Sequence, residues 1–89
     1  MNGSLVGIRK VDFTDKEGKV VKGNQLFIIT ELPEKYGEGY EFLFAPSKKH
    51  SGFFTDDQLA ELGIYCGCQL SFSFTRTGNI DRDTIVVTG

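Results

Sequence analysis

Apolar residues in this chain recur mostly at every second position, the period of a half-buried β-strand. Residues 69–75 carry it most clearly. Leu70, Phe72 and Phe74 alternate with Gln69, Ser71, Ser73 and Thr75, so the first set is expected inward within a fourth strand over 64–75. Arg76-Thr77-Gly78-Asn79 follows as a tight hairpin turn, and a fifth strand covers 80–87. Residues 40–45 put Tyr40, Phe42 and Phe44 on one face and Glu41, Leu43 and Ala45 on the other. This third strand is expected to bury Phe42 and Phe44. A second strand over 19–32 holds the run Leu26-Phe27-Ile28-Ile29, apolar on both faces, and Pro33 ends it. The first strand, over 4–13, breaks its alternation, and a bulge is expected near Arg9-Lys10.

One segment departs from this period. Thr55 can cap a helix, with Gln58 completing a capping box. Asp56 and Asp57 occupy the first turn, where the helix dipole favours negative charge. Leu59 and Leu62 supply an apolar face, and Gly63 suits the left-handed C-terminal position. Phe53 and Phe54, just before it, are expected in the core. The order is therefore β-β-β-α-β-β. It predicts a mainly β fold, a five-stranded OB-fold-like barrel with one short helix between strands 3 and 4. An SH3-like barrel accommodates that helix less well. At 89 residues, a single domain over 1–89 is expected.

Charge changes the picture more than composition does. The formal net charge is −2, whereas nucleic-acid modules are usually basic. The distribution is uneven. Arg9, Lys10, Lys16, Lys19 and Lys22 face only Asp12, Asp15 and Glu17 within residues 9–22. Lys48-Lys49-His50 forms a second basic spot, and Glu31, Glu34, Glu38 and Glu41 gather between them. Residues 11–27 read as a β-ribbon turning at Asp15-Lys16-Glu17-Gly18, with Lys16, Lys19 and Lys22 in or near the turn. Such a ribbon is one way for a small β-domain to meet a nucleic-acid backbone. The alternative is a plain surface hairpin with solvated lysines.

Catalysis finds little support. The one histidine, His50, lies in a polar loop with no nucleophile or orienting acid marked by a motif. Cys66-Gly67-Cys68 falls short of the usual zinc spacing and offers too few ligands. Both thiols are read as small residues in or near the core, facing the same way along a strand. No metal or cofactor is expected. No run of 18 apolar residues occurs and Met1-Asn2-Gly3-Ser4 lacks a basic, apolar leader, so no membrane association and a cytoplasmic location are expected. Phe27, Tyr36 and Tyr40 are candidates for stacking on bases, Tyr36 and Tyr40 because each lies in or beside the glycine-rich loop over 34–39. Packing at a barrel rim is the other reading of the two tyrosines.

Phe13-Thr14, Lys16, Gly18, Lys22, Gly23 and an aromatic at Phe27 together resemble the DNA-binding wing of the filamentous-phage gene V type of single-stranded DNA-binding protein. Tyr40, the total length, and Gly63-Ile64-Tyr65 before an alternating strand and hairpin look similar too. The opening from Asn2 to Phe13 is similar to small proteins carried on plasmids and conjugative elements of Gram-positive bacteria. In this chain Leu26 stands where an aromatic would fall, and the 76–79 hairpin is shorter than that family's dimer loop and lacks its phenylalanine. The resemblance implies an OB-fold homodimer that coats single-stranded DNA without strong sequence preference. On it, Arg9, Lys16, Lys19, Lys22, Lys48, Lys49 and Arg76 would neutralise phosphates, and Phe27, Tyr36 and Tyr40 would stack on bases. The rival expectation is a protein-interaction module of a replication or conjugation complex, working through a strand edge or the acidic 31–41 segment.

Overall fold

The computed structural model describes residues 1–46 and 53–89. Five antiparallel strands form one sheet in the order β3-β2-β1-β4-β5. They are β1 (Asn2–Thr14), β2 (Val20–Glu31), β3 (Tyr40–Ala45), β4 (Gln69–Ser71) and β5 (Val86–Val87). One helix, α1 (Asp56–Leu62), lies between β3 and β4. β3 and β5 do not pair, so the sheet is open at both edges.

The first two strands form a long ribbon paired from Ser4↔Ile29 to Thr14↔Val20. Its turn is closed by Asp15, whose carboxylate accepts from the Glu17 and Lys19 amides at 2.9 and 2.8 Å. Gly18, at φ 81°, takes the left-handed position that such a three-residue loop requires. The bulge lies at Val6, where Leu5↔Ile28 is followed by Gly7↔Phe27. It was expected near Arg9-Lys10, yet those residues pair regularly with Gln25 and Asn24.

The core joins Leu5, Leu26 and Ile28 of the ribbon to Ala45, Phe54, Leu59, Ile64, Cys68, Leu70, Phe72, Ile80 and Ile85. α1 carries the full capping box, Thr55 accepting from the Gln58 amide and the Gln58 side chain accepting from the Thr55 amide. Gly63 ends it at φ 70°. At seven residues the helix cannot hold itself, and Leu59 seats it on the core.

A buried polar latch fixes the base of the ribbon to the start of that helix. The Asn24 side chain donates to the Phe54 carbonyl at 3.0 Å and to the Asp56 carboxylate at 2.9 Å. The backbones of Asn24 and Phe54 also exchange both hydrogen bonds. Gly23 makes this approach possible. Its φ is 154°, and a Cβ there would stand 2.3 Å from the Phe53 Cβ.

Three expectations about the sheet are corrected. β4 spans three residues rather than 64–75, because Gly67 (φ 99°) turns the chain beside Cys66. Cys68 is consequently buried and Cys66 exposed, so the two thiols do not share a strand face. β5 spans only Val86–Val87, preceded by a 3-10 turn at Arg82–Thr84. There side chains replace the ladder. Thr84 Oγ1 accepts from the Ser73 amide at 2.8 Å and donates to the Asp81 carbonyl at 2.7 Å. Finally, Phe42, Phe44 and Phe74 are not core residues, being 59, 48 and 39% exposed. The partners decide it for β3. Leu43 and Ala45 face Ile28 and Leu26, which are buried, so Phe42 and Phe44 fall on the other side.

Candidate nucleic-acid interface

The face of the ribbon turned away from the core is aromatic. In register, Phe44 lies beside Phe27, Phe42 beside Ile29 and Tyr40 beside Glu31. Residues directly opposite in an antiparallel pair share a face. The row Tyr40, Phe42, Phe44 and Phe27 is therefore continuous, and Arg9 extends it through its pairing with Gln25. Phe13, also exposed, follows on the same side of β1. The Phe27 and Phe44 rings meet edge to face, centroids 5.1 Å apart. The hairpin tip borders this row. Gly78, Asn79 and Ile80 close one side of a groove of about 490 Å³ whose other walls include Arg9, Gln25, Phe27, Phe42 and Phe44.

Of the residues singled out in the sequence, Arg9 and Phe27 line the groove itself. Arg76 belongs to the exposed turn whose later residues border it. Lys16 and Lys19 occupy the exposed ribbon tip. Lys22 lies opposite Asp12 and, an odd number of residues from Phe27, projects from the other face of the ribbon. It borders a smaller depression with Lys10, Asn24 and Asp56. Lys10 and Asp56 approach to 3.7 Å, an exposed ion pair of little energetic weight. Tyr40 marks the far end of the aromatic row, roughly 30 Å along β2 from Lys22 at about 3.3 Å per residue. Tyr36 sits outside the sheet in the 3-10 turn Glu34–Tyr36, with the Lys35 ammonium 4.8 Å from its ring centre. The structure thus does not bring the ribbon lysines and the two tyrosines to one place. Lys48 and Lys49 lie outside the described residues.

Phe13, Phe42, Phe44, Gln25 and Asn79 were missed. The available signal was Leu26-Phe27-Ile28-Ile29 itself: a strand apolar on both sides has two faces to cover, and only one meets the core. Surrounding charge is uneven here too. Segment 31–41 carries four glutamates against Lys35, a net −3, around the Tyr40 end of the row. Cations cluster toward the Arg9 end and the ribbon tip.

Among the described residues, no three His, Cys, Asp or Glu side chains gather as a metal site. No helix among them is long and apolar enough to cross a membrane. No protein-family model, curated protein or solved structure matches the chain.

Proposed function

We propose that this is a non-enzymatic protein that binds single-stranded DNA, with an OB-fold-like architecture and an origin in a phage, plasmid or conjugative element. The observation carrying the reading is the aromatic row of β2 and β3 on the solvent side of the sheet, beside Arg9 and under the 76–79 hairpin. Exposed rings next to cations are what a single strand requires. Each base has a π-face, and the backbone needs neutralising. OB-folds bind oligonucleotides across strands 2 and 3, between the loop joining strands 1 and 2 and the loop joining strands 4 and 5. Here the aromatic row occupies those strands, the lysine tip is the first loop and the 76–79 hairpin is the second. The strand order β3-β2-β1-β4-β5 is that of such a barrel opened between its third and fifth strands. The homodimer and the mobile-element origin rest on the sequence resemblance alone.

A labelled thymine 20-mer titrated at two or more salt concentrations tests the reading by fluorescence anisotropy. With three to five phosphates neutralised at about −0.7 each, log K against log salt should fall with a slope of roughly −2 to −3.5. Replacing Lys16, Lys19 and Lys22 together by alanine should weaken binding and flatten the slope by about 1.4, the share of Lys16 and Lys19, since Lys22 projects from the opposite face. Thermal unfolding should barely change, because exposed turn lysines contribute little to stability. Absence of binding at low salt would reject the function. It would favour the interaction module, for which β3, an open edge strand, supplies the surface.

A further inference from the structure

Gln25 is an unusual residue to find beneath an aromatic surface. It is only 4% exposed, yet it lines the groove between Arg9 and Phe27. Its Nε2 donates to the Pro46 carbonyl at 3.0 Å. A carbonyl accepts only from a donor, so this contact fixes which end of the amide is which. Oε1 is then the other end; it takes no hydrogen bond from the described residues and is open to water. A held side chain that presents an acceptor to solvent can exchange its water for a ligand donor without moving. Arg9, its cross-strand partner, brings donors to the same floor.

We infer that this groove is a pocket for one unstacked nucleobase, held by an acceptor–donor pair rather than by ring contact alone. The inference rests on the single-strand reading above. Gln25 Oε1 accepts an N–H from the base edge, and the Arg9 guanidinium donates to the neighbouring lone pair. Phe27 and Phe44 supply apolar walls, and the Gly78-Asn79 tip borders one side. The chemistry recognised is an N–H beside an acceptor on one edge. Thymine offers it at N3 and O4, guanine at N1 and O6, cytosine at N4 and N3, adenine at N6 and N1. The pocket therefore tolerates all four bases while rejecting a base that has lost its N–H. Sequence-tolerant binding and a built polar contact are compatible on this geometry.

The test keeps the protein unchanged and alters the strand. A thymine 10-mer is compared by anisotropy with the same 10-mer carrying N3-methylthymine throughout. Methylation leaves the phosphates and π-faces, removes the N–H and adds a methyl group; a loss due to that bulk alone would persist in Gln25→Leu and would overturn the pocket. Wild-type protein should bind the methylated strand roughly tenfold more weakly, the loss expected when one buried acceptor goes unpaired. Gln25→Leu should bind the two strands equally. Equal binding of both strands by the wild type would overturn the pocket and leave the single-strand function standing. Failure to bind the unmodified strand would overturn both.

Discussion

Replacing Phe54 by alanine should lower the stability of this protein by about 3–5 kcal/mol, the usual cost of emptying a buried phenylalanine site. Phe54 is 1% exposed and belongs to the core cluster. Its ring also carries the Arg82 guanidinium at 4.6 Å, an interaction of about 0.5–1 kcal/mol. The site is poorly placed to collapse. Its backbone is tied to Asn24, and Asn24 is tied to Asp56. A domain of 89 residues has on the order of 5–10 kcal/mol in total, so about half of it is at stake. At 4–8 °C per kcal/mol the midpoint of thermal unfolding should drop by about 15–30 °C. Circular dichroism measures it directly, and a drop below 5 °C would place the ring outside the core. Phe54→Leu keeps most of the volume and should cost roughly a third as much.

The largest functional effect should come from Phe27→Ala with Phe44→Ala. Each ring that stacks a base contributes roughly 1–3 kcal/mol. Taken at about 2 kcal/mol each, the double variant should lose close to a thousandfold in affinity for a thymine 20-mer. Phe44 is 48% exposed and Phe27 half-buried, so the fold should survive with a modest loss. The matched control, Tyr36→Ala with Tyr40→Ala, should lose much less. Both tyrosines lie among the glutamates of 31–41, which repel phosphate. Affinity within threefold of wild type for the phenylalanine variant would remove the aromatic row from the interface. A larger loss in the tyrosine variant would move the interface to the acidic end.

Local signals in the sequence were reliable, and signals that depend on pairing were not. β3 begins and ends where its alternation does, at Tyr40 and Ala45. The helix is delimited by Thr55, Gln58 and Gly63, three residues acting within one or two turns. Alternation alone says that Phe42 and Phe44 share a face, but not which face meets the core. That depends on register with Leu26 and Ile28, a property of two strands together. Size misled as well. By size, two phenylalanines make a larger core than Leu43 and Ala45, but Phe54 and Phe72 already supply the core's aromatic bulk. Overlong strands at the C-terminal end have a similar origin. Backbone groups of Ser73, Asp81 and Asp83 are satisfied by side-chain bonds that no alternation pattern encodes. Of the site, Arg9 and Phe27 were legible. Gln25 was not, because a polar residue inside an apolar strand shows its purpose only once the Pro46 carbonyl is seen beside it.

The central position of β1 governs the order in which the molecule can assemble. Its pairing with β2 spans a turn of a few residues. Its pairing with β4 joins Ser4 to Gln69 and Asn2 to Ser71, closing a loop of more than sixty residues. Closing so long a segment is entropically slow, whereas a hairpin forms in microseconds. The ribbon is therefore the natural nucleus, and the half containing Leu70 and Phe72 docks late. In a chevron experiment Leu26→Ala should chiefly slow folding, while Leu70→Ala should chiefly speed unfolding. If the reverse held, the nucleus would lie among the late strands. The surface proposed to bind the strand would then be finished last, rather than standing ready before the rest of the chain has closed around it.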